Sequence, residues 1–150
     1  HLLSRRQRQM CIRDSNIIEH VRIVGPIRNY NQVELSKDDA DYLGINPPTR
    51  KSGDLKDSSP IIIFNDEAEI KLKRGAILAQ RHVHIGEKEA LKEGFENDEI
   101  VNVYKENKYL FDAHIKIEPV SFTELHIDTS EEIIYDLHQD CEVEIRKCGK

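Results

Sequence analysis

The stretch QRHVHIGEKEALKEG, residues 80–94, sets His82 and His84 one residue apart before a charged, helix-like run. An extended strand turns alternate side chains to one face, so both imidazoles point the same way. Two imidazoles at that spacing can share one divalent ion, with zinc–nitrogen distances of about 2.0–2.1 Å. A third ligand must come from elsewhere, and ELHID offers His126. There Glu124, His126 and Asp128 share one strand face, while Leu125 and Ile127 take the other. Three histidines with an open fourth position is the form of a catalytic zinc site, not a structural one. The competing reading is three histidines satisfied by ordinary hydrogen bonds. His20 lies in an exposed-looking alternation, His114 sits in DAHIKI and His138 falls on a probable helix, and all three are read in that plainer way.

Arg28 and Arg81 each stand just before a strand-like run. A guanidinium can hold a phosphate or carboxylate through two parallel hydrogen bonds, although a plain surface arginine is the commoner case. SGDLKDSSP has a single glycine and is no phosphate-binding P-loop. No serine or cysteine sits in a nucleophile elbow, so covalent acyl transfer through a side chain has little support. Cys141 and Cys148 are too far apart for a CxxC clamp.

The elements that must position these residues are mostly short strands. From Asn16 onward EHVRIVG, NQVELS, PIIIF, EIKLK, GAILAQRHVHI, EIVNVYK, KYLFDAHIKI, SFTELHID and DCEVEIRK read as extended. Ser36 followed by KDDADYLG reads as an N-cap, two helical turns and a glycine stop at Gly44. A second short helix starts at Glu87 and stops near Gly94, and SEEIIYDLH allows a third. Many short strands with few short helices predict a mainly β chain of barrels or sandwiches. An offset of fifty superposes Gly25 on Gly75, Ile27 on Ile77, Val33 on Val83, Ala40 on Ala90 and Gly44 on Gly94. This predicts two small β-barrels related by an internal pseudo-repeat, with capping helices, over residues 16–78 and 79–150. In the overlay Glu34 lands on His84, so an acid holds the place of a histidine.

At 150 residues, with 38% apolar and 33% charged residues, the chain suits one globular domain or two small ones. A net charge of −6 argues against a nucleic-acid or anionic-membrane binder. No apolar run approaches the ~20 residues that span a bilayer. The cysteines, Cys11, Cys141 and Cys148, are odd in number and fit a reducing cytoplasm. Residues 1–15, HLLSRRQRQMCIRDS, are basic where the rest is acidic. They read as a non-native or disordered leader, or alternatively as a basic arm that touches phosphate.

The runs VGPIRNYNQVELSKDDADYLGINPPTRKSGDLKDSSPIII, GAILAQRHVHI and ELHIDTSEE, in that order, resemble the Pdu-type phosphate propanoyltransferases, the zinc-dependent phosphotransacylases. The resemblance covers Ile23 to about Glu132. It implies a fold of two β-barrels and a reversible transfer of an acyl group from coenzyme A to inorganic phosphate. It further implies that His82, His84 and His126 hold one zinc, that Glu34 helps hold a second, and that Arg28 positions phosphate. Family members carry an earlier NRHVHLS-like strand that this chain lacks before Gly25. The expectation is therefore a truncated member lacking roughly 60–80 residues, inactive or weakly active. A barrel missing a strand would expose an edge that invites pairing between copies. The resemblance also implies a cytoplasmic location or the lumen of a bacterial microcompartment.

Two other readings remain open on the sequence. Gly75, His82, His84, Glu89 and Gly94 approximate a cupin signature, which would make the chain a metal-dependent oxygenase or isomerase. A non-catalytic zinc-binding barrel is the other.

Overall fold

Short apolar runs bounded by turn residues become strands, and among the described residues only three short helices interrupt them. The computed structural model of the chain describes residues 8–12, as backbone, and 16–149. It divides between Ala79 and Gln80 into two compact units.

The first unit carries β1 (Arg8–Ile12), β2 (Asn16–Val21), β3 (Val33–Leu35), α1 (Lys37–Leu43), β4 (Thr49–Arg50), β5 (Ser59–Phe64) and β6 (Glu69–Ala79). The sheet runs β2-β1-β5-β6-β3, with β4 also on β6. Val33, Leu35, Ala40, Leu43, Ile61 and Ala76 form its core. Ser36 caps α1 by accepting from the Asp39 N–H at 3.0 Å, and Gly44 ends the helix at φ 70°. That left-handed conformation costs a glycine least.

Two strand expectations are corrected in this unit. EIKLK and GAILA, read as separate strands, form the single strand β6. Gly75 marks a close approach within it, since an added Cβ would lie 3.0 Å from Leu72 Cδ1 and 3.2 Å from the Asn31 carbonyl. The strand expected at EHVRIVG ends at Val21, just after His20 takes φ 60°. Of the leader, residues 1–7 and 13–15 lie outside the described ones, but Arg8–Ile12 is a strand between β2 and β5.

The second unit carries β7 (His82–Gly86), α2 (Glu87–Glu93), β8 (Ile100–Lys105), β9 (Lys108–Glu118), β10 (Glu124–His126), α3 (Thr129–Ile134) and β11 (Glu144–Lys147), in sheet order β10-β7-β9-β8-β11. Period-two alternation decides its two faces. Val83, Ile85, Val101, Val103, Phe111, Ala113 and Ile115 point into the core with Ala90 and Leu137. Their neighbours His82, His84, Asn102, Asp112, His114, Lys116 and Glu118 take the other face. Gly94 closes α2 at φ 74°. The third helix is shorter than SEEIIYDLH allows, because Tyr135 leaves helical geometry and Asp136 takes φ 51°.

Neither sheet closes among the described residues: no pair joins β2 to β3, or β10 to β11. The expected barrels are thus open sheets. Closure needs tilt and stagger to bring the two edges into register. The edges β3, β10 and β11 offer only three, three and four residues to pair. In each unit, however, a strand leads into a seven-residue helix and then pairs in parallel with the second strand of a hairpin, β3 with β6 and β7 with β9.

Ile85 is 1% exposed, on the strand that bears both histidines. Ile85→Ala should cost about 2–5 kcal/mol in urea denaturation. Leu91→Ala, at a site 85% exposed, should stay within about 0.5 kcal/mol of the parent.

Candidate metal centre

The site is built on β7, because its inward residues are committed to the core. With Val83 and Ile85 buried, His82 and His84 must emerge together on the opposite face. The antiparallel neighbour β10 places His126 opposite His82 and Glu124 opposite His84. The parallel neighbour β9 places His114 beside His82 and Lys116 beside His84.

These pairings bring three imidazoles together. Ring centroids lie 4.7 Å apart for His82 and His84, 5.1 Å for His82 and His126, and 4.3 Å for His84 and His126. One nitrogen from each ring falls within 4.8 Å of the others, so the group could hold a metal ion. His82 Nε2 and His84 Nε2 approach to 3.0 Å. Behind them, His82 Nδ1 lies 2.8 Å from the Gln80 carbonyl, and His84 Nδ1 lies 2.5 Å from Glu118 Oε2. A carbonyl oxygen only accepts, so His82 carries its proton on Nδ1 and presents a bare Nε2.

The surroundings of His82 favour its neutral form. Burial pushes the His82 pKa below its ordinary value, with help from His84, His126 and Lys116, against the pull of the Gln80 carbonyl. For Glu118, burial alone would raise the carboxyl, but the hydrogen bond and charge of Lys116, and then His84, hold it below the usual range. Lys116 Nζ sits 3.1 Å from Glu118 Oε1.

An ion pair ties the residue before β7 to α3. Arg81 donates from Nε to Glu131 Oε1 at 2.5 Å, and its guanidinium lies 4.7 Å from the Phe111 ring centroid. Burial pulls the Arg81 pKa down, but Glu131 outweighs it and leaves it raised. Glu131 Oε2 also accepts from the Asp128 N–H at 3.2 Å, completing the capping box of α3. The residue just before His82 is thus clasped to the helix that follows His126. The guanidinium of Arg81 is therefore engaged by Glu131.

The remaining expectations fall out as follows. Glu34 is exposed in the first unit and accepts from Gln32 Nε2 at 2.8 Å. The same amide reaches Ser52 Oγ at 3.0 Å and accepts from the Gly53 N–H at 2.7 Å, joining Glu34 to the SGDL turn. Arg28 is exposed in the segment between β2 and β3 of that unit. Glu89, which the cupin signature needs on the metal, is exposed on α2 beside Lys92 and outside the histidine group. Cys141 and Cys148 are free thiols, and the side chain of Cys11 lies outside the described residues. No helix among the described residues is long and apolar enough to cross a membrane.

Gln80, Glu118 and the Arg81–Glu131 pair escaped the sequence reading. The alternation His114, Lys116, Glu118 was a usable signal, since it puts the carboxylate on the face of a histidine.

Fold and site together define a mainly β protein with a strand-borne histidine group able to hold a metal ion. A family model described as PTAC, phosphate propanoyltransferase, matches residues 5–137, and the chain belongs to that family. Among curated proteins it is similar to phosphate propanoyltransferases of Lachnoclostridium phytofermentans and Thermotoga maritima. Each is 38% identical over 76% of this chain, covering 55% and 56% of the relative. The phosphate propanoyltransferase of Salmonella arizonae is 40% identical over 76% of the chain and 56% of its own length. The chain thus spans about half the length of the curated relatives it matches.

Two measurements test the centre. The folded chain disfavours protonation of His82 relative to the unfolded chain. Stability linked to it is therefore complete above the ordinary value of 6.5 and is lost as pH falls through the lower folded value. Metal-free denaturation curves should weaken below that pH, and His82→Gln should flatten the profile. A double-mutant cycle of Arg81→Met and Glu131→Gln should give a coupling of at least ~1 kcal/mol, above that of exposed ion pairs.

Proposed function

We propose that the protein is a zinc-dependent phosphate acyltransferase, moving a short acyl group, propanoyl or acetyl, between coenzyme A and inorganic phosphate. The observation that carries this reading is the convergence of His82, His84 and His126 in a chain of the phosphate propanoyltransferase family. The donor set fits zinc. Two nitrogens at about 2.05 Å from a tetrahedral ion stand about 3.3 Å apart, close to the 3.0 Å between the Nε2 atoms of His82 and His84.

In the reaction a phosphate oxygen attacks the thioester carbonyl carbon, the carbon–sulfur bond breaks, and the phosphate proton ends on the coenzyme A thiol. Bound zinc would polarise the carbonyl and orient phosphate. The three imidazoles would hold it as neutral donors. Arg28 would bind the phosphate through its guanidinium and offset the growing negative charge. Glu34, steadied by Gln32 and the SGDL turn, would belong to a second zinc position. Because phosphate is itself the nucleophile, no activated serine or cysteine is required. The matched strand–helix–hairpin order of the two units supports reading them as related copies of one β unit.

Propionyl-CoA in phosphate buffer, followed by thiol release with and without chelator, tests the reading. Phosphate-dependent, chelator-sensitive release is expected, weak in a chain that spans about half the length of its curated relatives. A folded, zinc-loaded chain that releases no thiol would defeat the transferase assignment and favour a binding role. Elemental analysis should find the zinc at the histidine site, about one per chain, lost in His84→Ala.

A further inference from the structure

Resting on the metal reading above, we propose that Glu118 is the positioning residue that makes His84 a ligand, by holding its Nδ1–H so that the Nε2 lone pair faces His82 and His126. The three rings differ in what stands behind them. His82 leans on a neutral carbonyl, Gln80 O, at 2.8 Å. Among the described residues His126 meets Glu124, whose Oε2 is 3.7 Å from Nε2 and beyond hydrogen-bond distance. His84 alone of the three meets a carboxylate at hydrogen-bond distance, Glu118 Oε2 at 2.5 Å.

The backbone is shaped to put that carboxylate there. Glu118 ends β9 opposite Gly86 of β7. Val120 N–H donates back to the Glu118 carbonyl at 2.8 Å, and Asn97 Oδ1 receives the Ile117 N–H at 2.9 Å. This turn presses on β7 so closely that a Cβ on Gly86 would lie 2.3 Å from the Val120 carbonyl oxygen. Lys116 takes the other carboxylate oxygen at 3.1 Å, which leaves Oε2 for the imidazole. An ionised carboxylate only accepts, so His84 must carry its proton on Nδ1. With His82 fixed likewise, two bare Nε2 atoms face each other at 3.0 Å, an arrangement that a cation relieves. A carboxylate behind an imidazole also raises its basicity as a ligand.

Nitrogen-15 NMR of the imidazoles, on the chelator-treated 150-residue chain above neutral pH, reads the tautomer directly. The parent should show His84 protonated on Nδ1. Glu118→Leu should release that preference and weaken zinc affinity, measured against a competing chelator dye, by about 10–100-fold. Glu118→Gln keeps an oxygen that can accept the same proton, so it should keep the tautomer and lose less affinity; it also carries the test if the leucine variant does not fold. An Nε2-protonated His84 in the parent, or unchanged zinc affinity in both variants, overturns the role of Glu118. A parent chain that binds no zinc while its His84 tautomer still depends on Glu118 overturns the metal reading instead.

Discussion

The second unit depends on a single constraint: β7 is packed on one face and must present the other. Val83 and Ile85 are each 1% exposed, and burying such side chains stabilises the fold by about 1.5–3 kcal/mol apiece. A slip of one residue would send both outward and drive His82 and His84 into an apolar core. The imidazoles therefore share a face because the core requires it. The flanking strands then assemble the surroundings, with β10 supplying His126 and β9 supplying Lys116 and Glu118.

Electrostatics around that face follow a consistent division. Partial burial disfavours the charged form of His82, and His82 and His84 are both backed by acceptors at Nδ1, which leaves their Nε2 atoms free to donate electron pairs. The nearby guanidinium of Arg81 is neutralised by Glu131 and stacked on Phe111, so its work is mechanical. It holds the entry of β7 against the helix that follows the third histidine. In the first unit the polar residues are arranged differently, with Gln32 bridging Glu34 to the turn at Gly53, where φ is 93°. That turn also lies against Tyr30, whose hydroxyl would be 3.3 Å from a Cβ at Gly53. Side chains at this position are disfavoured by conformation and by space alike.

The chain belongs to the phosphate propanoyltransferase family, and the proposed function would give these local arrangements a common purpose. The chemistry proposed for them asks little of the protein beyond positioning. Phosphate brings its own nucleophilic oxygen, and a metal bound by three histidines keeps a position open for substrate. Neutral nitrogen donors would leave such an ion its full charge for polarising a carbonyl.

Much of this was legible from residues alone, and the reason is locality. Period-two alternation puts His82 with His84 and Val83 with Ile85 whatever the rest of the chain does. Ser36 and Gly44 mark their helix by capping chemistry confined to a few residues. His126 could be named because its own strand alternates, and the mainly β character followed from short runs. What only the tertiary structure decided is non-local. Glu118 lies 34 residues from His84, and their contact exists only through the parallel pairing of β7 with β9. The Glu131 carboxylate that engages Arg81 lies 50 residues away in the chain. The strand order, which leaves both sheets open among the described residues, was decided in the same way. Pairing partners are selected by the summed burial of whole strands, a quantity that no short stretch of sequence contains.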